Sequence, residues 1–251
     1  MPDWRDAAAY EPLLDADRSF FAWEWLRRNP DYRVAAKRAL EGFRIAEETS
    51  GTAESWGLHA FEAPHLTAPD ARPVWSADVC PHVLGVRAVP ADGEDIFDLE
   101  RCHAICTLVT AADGREHLLI SDGLRAIRID VEAGTLKVGP VRLEYSLAGF
   151  VSAERPLQTL RRLLALYHTG RFSAVLHPSE ARARRFVLML RVYDARVSGA
   201  TQREIAIELL SGDPVPDRWR VKAPTVRSQV QRLVRGARAM AAGGYLILLS
   251  G

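Results

Sequence analysis

The most informative stretches of the sequence are TQREIAIELL at residues 201–210 and APTVRSQVQRLVRGARAMAAGG at residues 223–244. In the first stretch, Thr201 and Glu204 have the spacing of a capping box, which predicts a helix that begins directly after Thr201. In the second stretch, Pro224 suits a first helical turn, and apolar residues recur at helical spacing until a pair of glycines. The two stretches therefore predict a helix pair of the helix-turn-helix type.

The second predicted helix has a polar face that contains no acidic residue. The apolar positions, which we expect to be buried, are Val226, Val230, Leu233, Ala237 and Met240. The polar positions are Arg227, Ser228, Gln231, Arg232, Arg235 and Arg238. In the major groove, arginine can donate two hydrogen bonds to guanine, glutamine can pair with adenine, and serine suits a base or a phosphate. A face that is only solvated usually includes glutamate, so the bias favours a DNA recognition helix.

The segment between the two helices departs from the simplest form of the motif. Its helices are usually joined by about 3 to 4 residues, whereas SGDPVPDRWRVKAP intervenes here. This segment could form a wing or an extra turn in which Arg218 and its basic neighbours contact the DNA backbone. Trp219 could add to those contacts or fill the core, which is the commoner fate of a lone tryptophan. The residues predicted to bind DNA are Arg203, Arg220, Lys222, Thr225, Arg227, Ser228, Gln231, Arg232 and Arg235.

The net charge changes sign along the chain. The whole chain of 251 residues has a formal net charge of +1. Residues 1–100 hold 10 basic and 19 acidic side chains, residues 101–151 hold 6 of each, and residues 152–251 hold 17 basic and 7 acidic side chains. Two differently solvated faces would explain this distribution, but it also indicates that the C-terminal part binds phosphate and the N-terminal part does not.

The residue pattern divides the chain into four segments and predicts an α+β fold. We expect an N-terminal helical, regulator-like unit at residues 1–55, an irregular linker rich in proline at residues 56–103, a central antiparallel β-meander at residues 104–150, and an all-helical helix-turn-helix-like domain at residues 151–251. The β-type runs of the meander are CTLVT, EHLLIS, RAIRIDV, TLKV and VRLEYSL, each separated from the next by a turn signal. The meander contains no residue constellation that would carry chemistry, so we expect it to be a scaffold or a dimerisation platform.

Large apolar side chains mark the helix faces that we expect to be buried. In the N-terminal unit they are Phe20, Trp23, Trp25 and Leu26. These are too many for one exposed helix, so they pack in the core of the chain or, less commonly, on a partner. After residue 150, one helix is predicted to bury Leu157, Leu160, Leu164 and Tyr167, and the next to bury Phe186, Leu190, Tyr193 and Val197.

Long motifs at both ends of the chain carry a resemblance to a known family. They are DWRDAAAYEPLLDADRSFFAWEWLRRNPDYR near the start, and LLISDGLRAIRIDV, LRRLLAL, ATQREIA and RWRVKAPTVRSQVQRLVRGARAMAAGGY further on. Over nearly its whole length the chain resembles proteobacterial excision activators of integrative and conjugative elements. In that family the first motif lies in a transcriptional-regulator-like domain and the others lie in a helix-turn-helix-variant domain. The resemblance implies activation of an excisionase gene and inhibition by a small antiactivator, with RNA polymerase as a further candidate partner.

The residues give little support to an enzyme, a metal site or a cofactor, and we expect none of them. A zinc site could be drawn from Cys80, His82, Cys102, His103 and Cys106. The paired spacing of strong zinc motifs is absent, however, and the last two cysteines are better read as small buried residues. No glycine-rich phosphate loop or nucleophile elbow stands out.

The stronger alternative is a protein-interaction module whose basic C-terminal helix docks an acidic partner. The odd number of cysteines and an N-terminus without an apolar core predict a location in the reducing cytoplasm. No run of about 20 apolar residues predicts a membrane span. The oligomeric state stays open, because no zipper-type seam is visible in the sequence.

Overall fold

The computed structural model describes residues 2–41, 52–210 and 223–250. The helices are α1 (Arg18–Leu26), α2 (Pro30–Leu40), α3 (Glu154–Thr169), α4 (Ala183–Val197), α5 (Gln202–Leu209), α6 (Pro224–Ala241) and α7 (Ile247–Ser250). The strands are β1 (Val83–Pro90), β2 (Ile105–Thr110), β3 (Glu116–Ser121), β4 (Ala126–Ala133) and β5 (Val141–Ser146). Short 3-10 helices span Ala8–Asp15, Ala53–Trp56, Leu99–Arg101 and Gly244–Leu246. The predicted α+β class is confirmed, and none of the described helices has the length and hydropathy of a membrane span.

The five strands form one mostly antiparallel sheet in the order β2-β3-β4-β1-β5. Strands β2, β3 and β4 form an antiparallel meander as predicted. Strand β5 does not continue it, because β1 lies between β4 and β5, parallel to β4 and antiparallel to β5. Strand β1 belongs to the segment predicted to be an irregular linker. The prolines before this strand and at its end are typical of a loop, although the eight residues of the strand alternate in burial.

One predicted strand is wrong. The run TLKV at residues 135–138 forms a turn between β4 and β5. Gly134 and Gly139 flank this turn with φ angles of 82° and 108°, in the left-handed region that favours glycine. A Cβ at Gly134 would also overlap the carbonyl oxygen of Ala88. The apolar character of the run reflects Leu136, which is buried beneath the turn and not in a strand.

Helix α3 packs on one face of the sheet, against β1 and β4. Its buried side chains are Thr159, Leu163 and Leu166. The predicted buried stripe is therefore wrong, since Leu157, Leu164 and Tyr167 are exposed and Leu160 is half-buried. Apolar residues cover more than half of the circumference of this helix. Contact with the sheet, and not the periodicity, selects the face that is buried.

The predicted stripe of α4 is confirmed only at its first two positions. Phe186 and Leu190 are buried and Tyr193 is half-buried, whereas Val197 is 53% exposed. Val197 is the last residue of the helix, where the chain turns away from the core. Met189, Val192 and Ala195 complete the buried face in its place.

A second apolar core, separate from the one between α3 and the sheet, is formed by helices from both ends of the chain. Every residue of α1 from Phe20 to Leu26 is buried, and α1 packs against α4, α6 and α7. The core position predicted for the N-terminal aromatic residues is confirmed. Trp25, for example, meets Tyr193 of α4 edge to face, with ring centroids 5.8 Å apart. The N-terminal and C-terminal helices thus share one core, while the predicted segment boundaries at residues 55, 103 and 150 stay predictions.

A fully buried ionic network ties the end of α1 to α4. Arg28 donates two hydrogen bonds to Asp194, from Nε to Oδ1 at 2.8 Å and from Nη2 to Oδ2 at 2.7 Å. Glu24 accepts hydrogen bonds from Arg28 and, at 2.9 Å, from Nε of Arg27. The hydroxyl of Tyr10 donates to Asp194 Oδ2 at 2.6 Å. Two carboxylates thus balance two guanidiniums out of contact with water.

The network keeps the Glu24 carboxylate ionised despite burial. Burial raises the pKa of the Glu24 carboxyl, but the guanidiniums of Arg28 and Arg27 more than offset it, so this pKa lies below its usual value. Burial and the adjacent Asp194 carboxylate raise the pKa of the Tyr10 phenol, which remains a hydrogen-bond donor. Charged hydrogen bonds therefore hold α1 and α4 together in addition to the apolar contacts.

Candidate nucleic-acid interface

Helix α5 begins where the capping box predicts. Thr201 Oγ1 accepts a hydrogen bond from the Glu204 amide at 3.2 Å, and Glu204 Oε2 accepts one from the Thr201 amide at 2.7 Å. These bonds satisfy amides that the start of a helix otherwise leaves unpaired. Ile205 and Ala206 are buried, and α5 packs against both α4 and α6. The predicted cap of this helix is confirmed.

Helix α6 has one apolar side that packs on the core. The buried residues are Val230, Leu233, Val234, Ala237 and Met240. The predicted stripe is confirmed, with Val234 as an additional member and Val226 half-buried. After the helix ends, Gly243 turns the chain with a φ of 107°.

The opposite side of α6 carries every DNA-binding residue predicted on this helix. We call it the α6 polar face and define it by Thr225, Arg227, Ser228, Gln231, Arg232, Arg235 and Arg238, all of which are exposed. A helix turns by about 100° per residue, so these positions cover about 160° of its circumference. They form one continuous surface on a helix whose other side is held in the core.

Of the remaining predicted residues, the structure describes Arg203, which does not belong to this face. Arg203 is exposed in the first turn of α5. Arg220 and Lys222 lie outside the described residues, as do Arg218 and Trp219, so a wing or an extra turn stays a prediction. The structure therefore brings the predicted α6 residues together on one face and leaves Arg203 on the neighbouring helix.

Three arginines of the α6 polar face have no charge partner in the described part of the chain. Helix α6 contains no aspartate or glutamate. Arg232, Arg235 and Arg238 form no salt bridge with any residue that the structure describes. Like charges on one face repel each other until an external anion approaches. A DNA duplex supplies such anions, with one charge for about every 1.7 Å of its axis.

Helix α4 adds basic side chains that sequence reasoning does not assign to the interface. Arg184 and Arg185 are exposed in its first turn and lie beside Gln229 and Arg232 of α6. The only signal for them is the basic run ARARRF at residues 181–186. Such a run does not indicate which helix it will meet, so their position next to α6 depends on the tertiary structure.

One described cluster has the residue types of a metal site. The ligand atoms of His59, His117 and Asp130 lie within 4.8 Å of one another. His117 Nδ1 lies 2.7 Å from Asp130 Oδ1, and Arg128 Nη2 donates to the same oxygen at 2.9 Å. The two imidazoles stack with ring centroids 3.5 Å apart, so their nitrogen lone pairs do not converge on one point. The adjacent guanidinium and the stacking favour a hydrogen-bonded cluster over a cation site.

We expect His59 to reduce stability in mild acid. Burial, followed by the charges of His117 and Arg128, lowers the pKa of His59 to about 4, against about 6.5 in an unfolded chain. Above the unfolded pKa, both states hold a neutral ring. Between the two values only the unfolded state binds the proton, so the free energy of unfolding decreases as the pH falls through this window.

The variant His59→Phe tests this expectation, because it keeps an aromatic ring for the stack but cannot titrate. Urea unfolding between about pH 7 and pH 4 measures the dependence. We expect the variant to lose less stability than the wild type over this range. If both proteins lose the same amount of stability over this range, groups other than His59 cause the acid sensitivity.

A cavity of about 750 Å³ lies away from this interface, between α3, β5 and the segment at residues 93–103. Its lining mixes apolar side chains such as Phe97 and Leu163 with charged ones such as Arg101. Cys102 also lines it and is half-buried, as is Cys106, so the expectation that these two cysteines are buried is wrong. Cys102 lies beside the open cavity, and Cys106 lies in β2, which is an edge strand of the sheet, so neither side chain is covered on all sides.

The basic, acid-free helix α6 packs on the capped helix α5. Residues 149–250 match a family model described as "T6SS, Transcription factor, DNA binding domain". Residues 3–59 match one described as "Proteobacterial transcriptional regulator-like domain". Comparison with curated proteins gives no significant match. The two models support a DNA-binding transcriptional regulator.

Proposed function

We propose that this chain is a transcriptional activator that reads promoter DNA with the α6 polar face. The observation that carries the proposal is an exposed, acid-free helix face within the residues that match a transcription factor DNA-binding domain. Arg227 and Arg235 pair with guanines in the major groove, and Gln231 pairs with adenine. Arg203 contacts phosphate from the start of α5, and Arg220 contacts the backbone from the intervening segment.

The genes that we propose as targets are the excisionase and transfer genes of an integrative and conjugative element. This part of the proposal is supported by the sequence resemblance at both ends of the chain. Its protein partners are RNA polymerase and a small antiactivator, in the cytoplasm. A dimer follows only where the operator is palindromic, because half-site symmetry mirrors protein symmetry.

Fluorescence anisotropy of the wild-type protein tests this function. The probes are promoter DNA from its own element and a scrambled duplex of the same length, each titrated across a range of salt concentrations. We expect a preference for the promoter of roughly a thousandfold or more. Equal affinity for both duplexes would contradict sequence recognition. Absence of binding at low salt would favour the alternative in which the basic helix docks an acidic protein.

A further inference from the structure

A small basic groove lies between α4 and α6, on the surface of the helical core. Its volume is about 350 Å³, and it is lined by Arg184, Arg185, Leu188, Gln229, Arg232 and Leu233. The two leucines belong to the apolar packing between the helices. The other four side chains are exposed, so the groove has an apolar base and a strongly basic rim.

The rim concentrates positive charge that the described part of the chain leaves unbalanced. Arg184, Arg185 and Arg232 form no salt bridge with any described residue. The nearby carboxylate of Glu180 is buried and already pairs with Arg18 and Arg182. Three guanidiniums around one small groove are therefore complementary to an external anion.

The groove also borders the surface proposed to read bases. Around the circumference of α6, Arg232 and Gln229 lie on the side towards α4, whereas Arg227, Gln231 and Arg235 lie at least about 60° away. When the middle of the α6 polar face enters the major groove, the side towards α4 faces one of the two phosphate strands that bound it.

We propose that this groove binds the phosphate backbone beside the site that α6 reads, with Arg184, Arg185 and Arg232 as phosphate ligands. Gln229 adds a neutral donor. The inference rests on the proposed function and extends it to α4, which has no role in base recognition. Guanidinium groups form paired hydrogen bonds with phosphate oxygens, so the groove orients α6 on the duplex without contributing sequence preference.

The double variant Arg184→Gln with Arg185→Gln tests the groove by anisotropy on the promoter and the scrambled duplex. We expect both affinities to fall by about tenfold for each lost contact near 0.1 M salt. The slope of log affinity against log salt concentration becomes less steep by about 2. The preference for the promoter stays at its wild-type value, because phosphate contacts carry no sequence information.

Two further variants keep the test specific. Arg161→Gln with Arg171→Gln removes the same charge from exposed positions in and just after α3, and we expect it to bind both duplexes like the wild type. Arg184→Lys with Arg185→Lys keeps the charge and restores the salt slope. Thermal unfolding verifies that all of these proteins remain folded.

The outcomes separate this inference from the proposed function. If the Arg184→Gln, Arg185→Gln variant binds DNA with wild-type affinity and keeps the promoter preference, the groove proposal is wrong and the proposed function is unaffected. An equal loss of affinity in the control variant Arg161→Gln with Arg171→Gln would also overturn the groove proposal, because it would indicate a general charge effect. Loss of promoter preference without a change in salt slope would assign base reading to the groove and overturn it as a phosphate site. Absence of wild-type binding to either duplex removes both proposals.

Discussion

We expect Asp194→Leu to lower the free energy of unfolding by about 3 to 5 kcal/mol. The substitution leaves Arg27 and Arg28 with a single carboxylate, so one buried positive charge loses its compensation. The Arg28 side chain has no exposed surface, and water cannot replace the missing partner. The hydroxyl of Tyr10 also loses its acceptor. Chemical denaturation followed by circular dichroism measures the loss, which is a large part of the roughly 5 to 15 kcal/mol that stabilises a typical domain.

The double variant Arg28→Met with Asp194→Leu is the matched control. It removes both charges of the pair, while Glu24 keeps its hydrogen bonds from Arg27 and, at 2.8 Å, from the Ala68 amide. Apolar replacements of buried ion pairs are often close to neutral, so we expect the double variant to be more stable than Asp194→Leu. If the losses in unfolding free energy of Arg28→Met and Asp194→Leu add up to the loss in the double variant, the two side chains are not energetically coupled.

The second large effect is expected on DNA recognition in the variant Arg227→Ala with Arg235→Ala. Each base contact contributes about 1 to 3 kcal/mol of discrimination, which corresponds to roughly 5- to 150-fold per arginine. Both side chains are exposed on α6, and alanine favours helix, so we expect little effect on folding. Anisotropy on promoter and scrambled DNA measures the result as a loss of promoter preference.

Controls distinguish base reading from general attraction to DNA. Arg161→Ala with Arg171→Ala removes two exposed charges elsewhere, and we expect it to retain the promoter preference. An equal fall in affinity for both duplexes in the α6 variant would reassign Arg227 and Arg235 to phosphate contacts. Unchanged binding would show that the α6 polar face is not the DNA-contacting surface.

The features that sequence reasoning predicted correctly depend on residues close together in the chain. The capping box at Thr201 and Glu204 joins two residues within one helical turn, and the apolar stripe of α6 repeats at the period of a single helix. The exposed polar face of α6 follows from that stripe, because a helix packed on one side presents the other side to solvent. The excess of basic residues after residue 151 is a property of composition and needs no fold.

The features that sequence reasoning missed depend on residues far apart in the chain. Strand β1 lies beside β4, more than 40 residues later in the chain, and the proline-rich flanks of β1 conceal this pairing. Leucines occur on several sides of α3, and the sheet decides which of them are buried. The position of Arg184 and Arg185 next to α6 likewise appears only when α4 and α6 pack together.

Local patterns in the sequence were enough to predict the α+β class, the helix pair α5 and α6, the polar face of α6 and the burial of the N-terminal aromatic residues in a core. The core that buries these residues is known only from the folded chain, in which α1 packs against the C-terminal helices and Arg28 pairs with Asp194. The physical reason is that local propensities and periodicity depend on neighbouring residues, whereas a shared core and a buried ion pair require contacts between distant segments. Such contacts depend on the packing of the whole chain, which a local pattern does not encode.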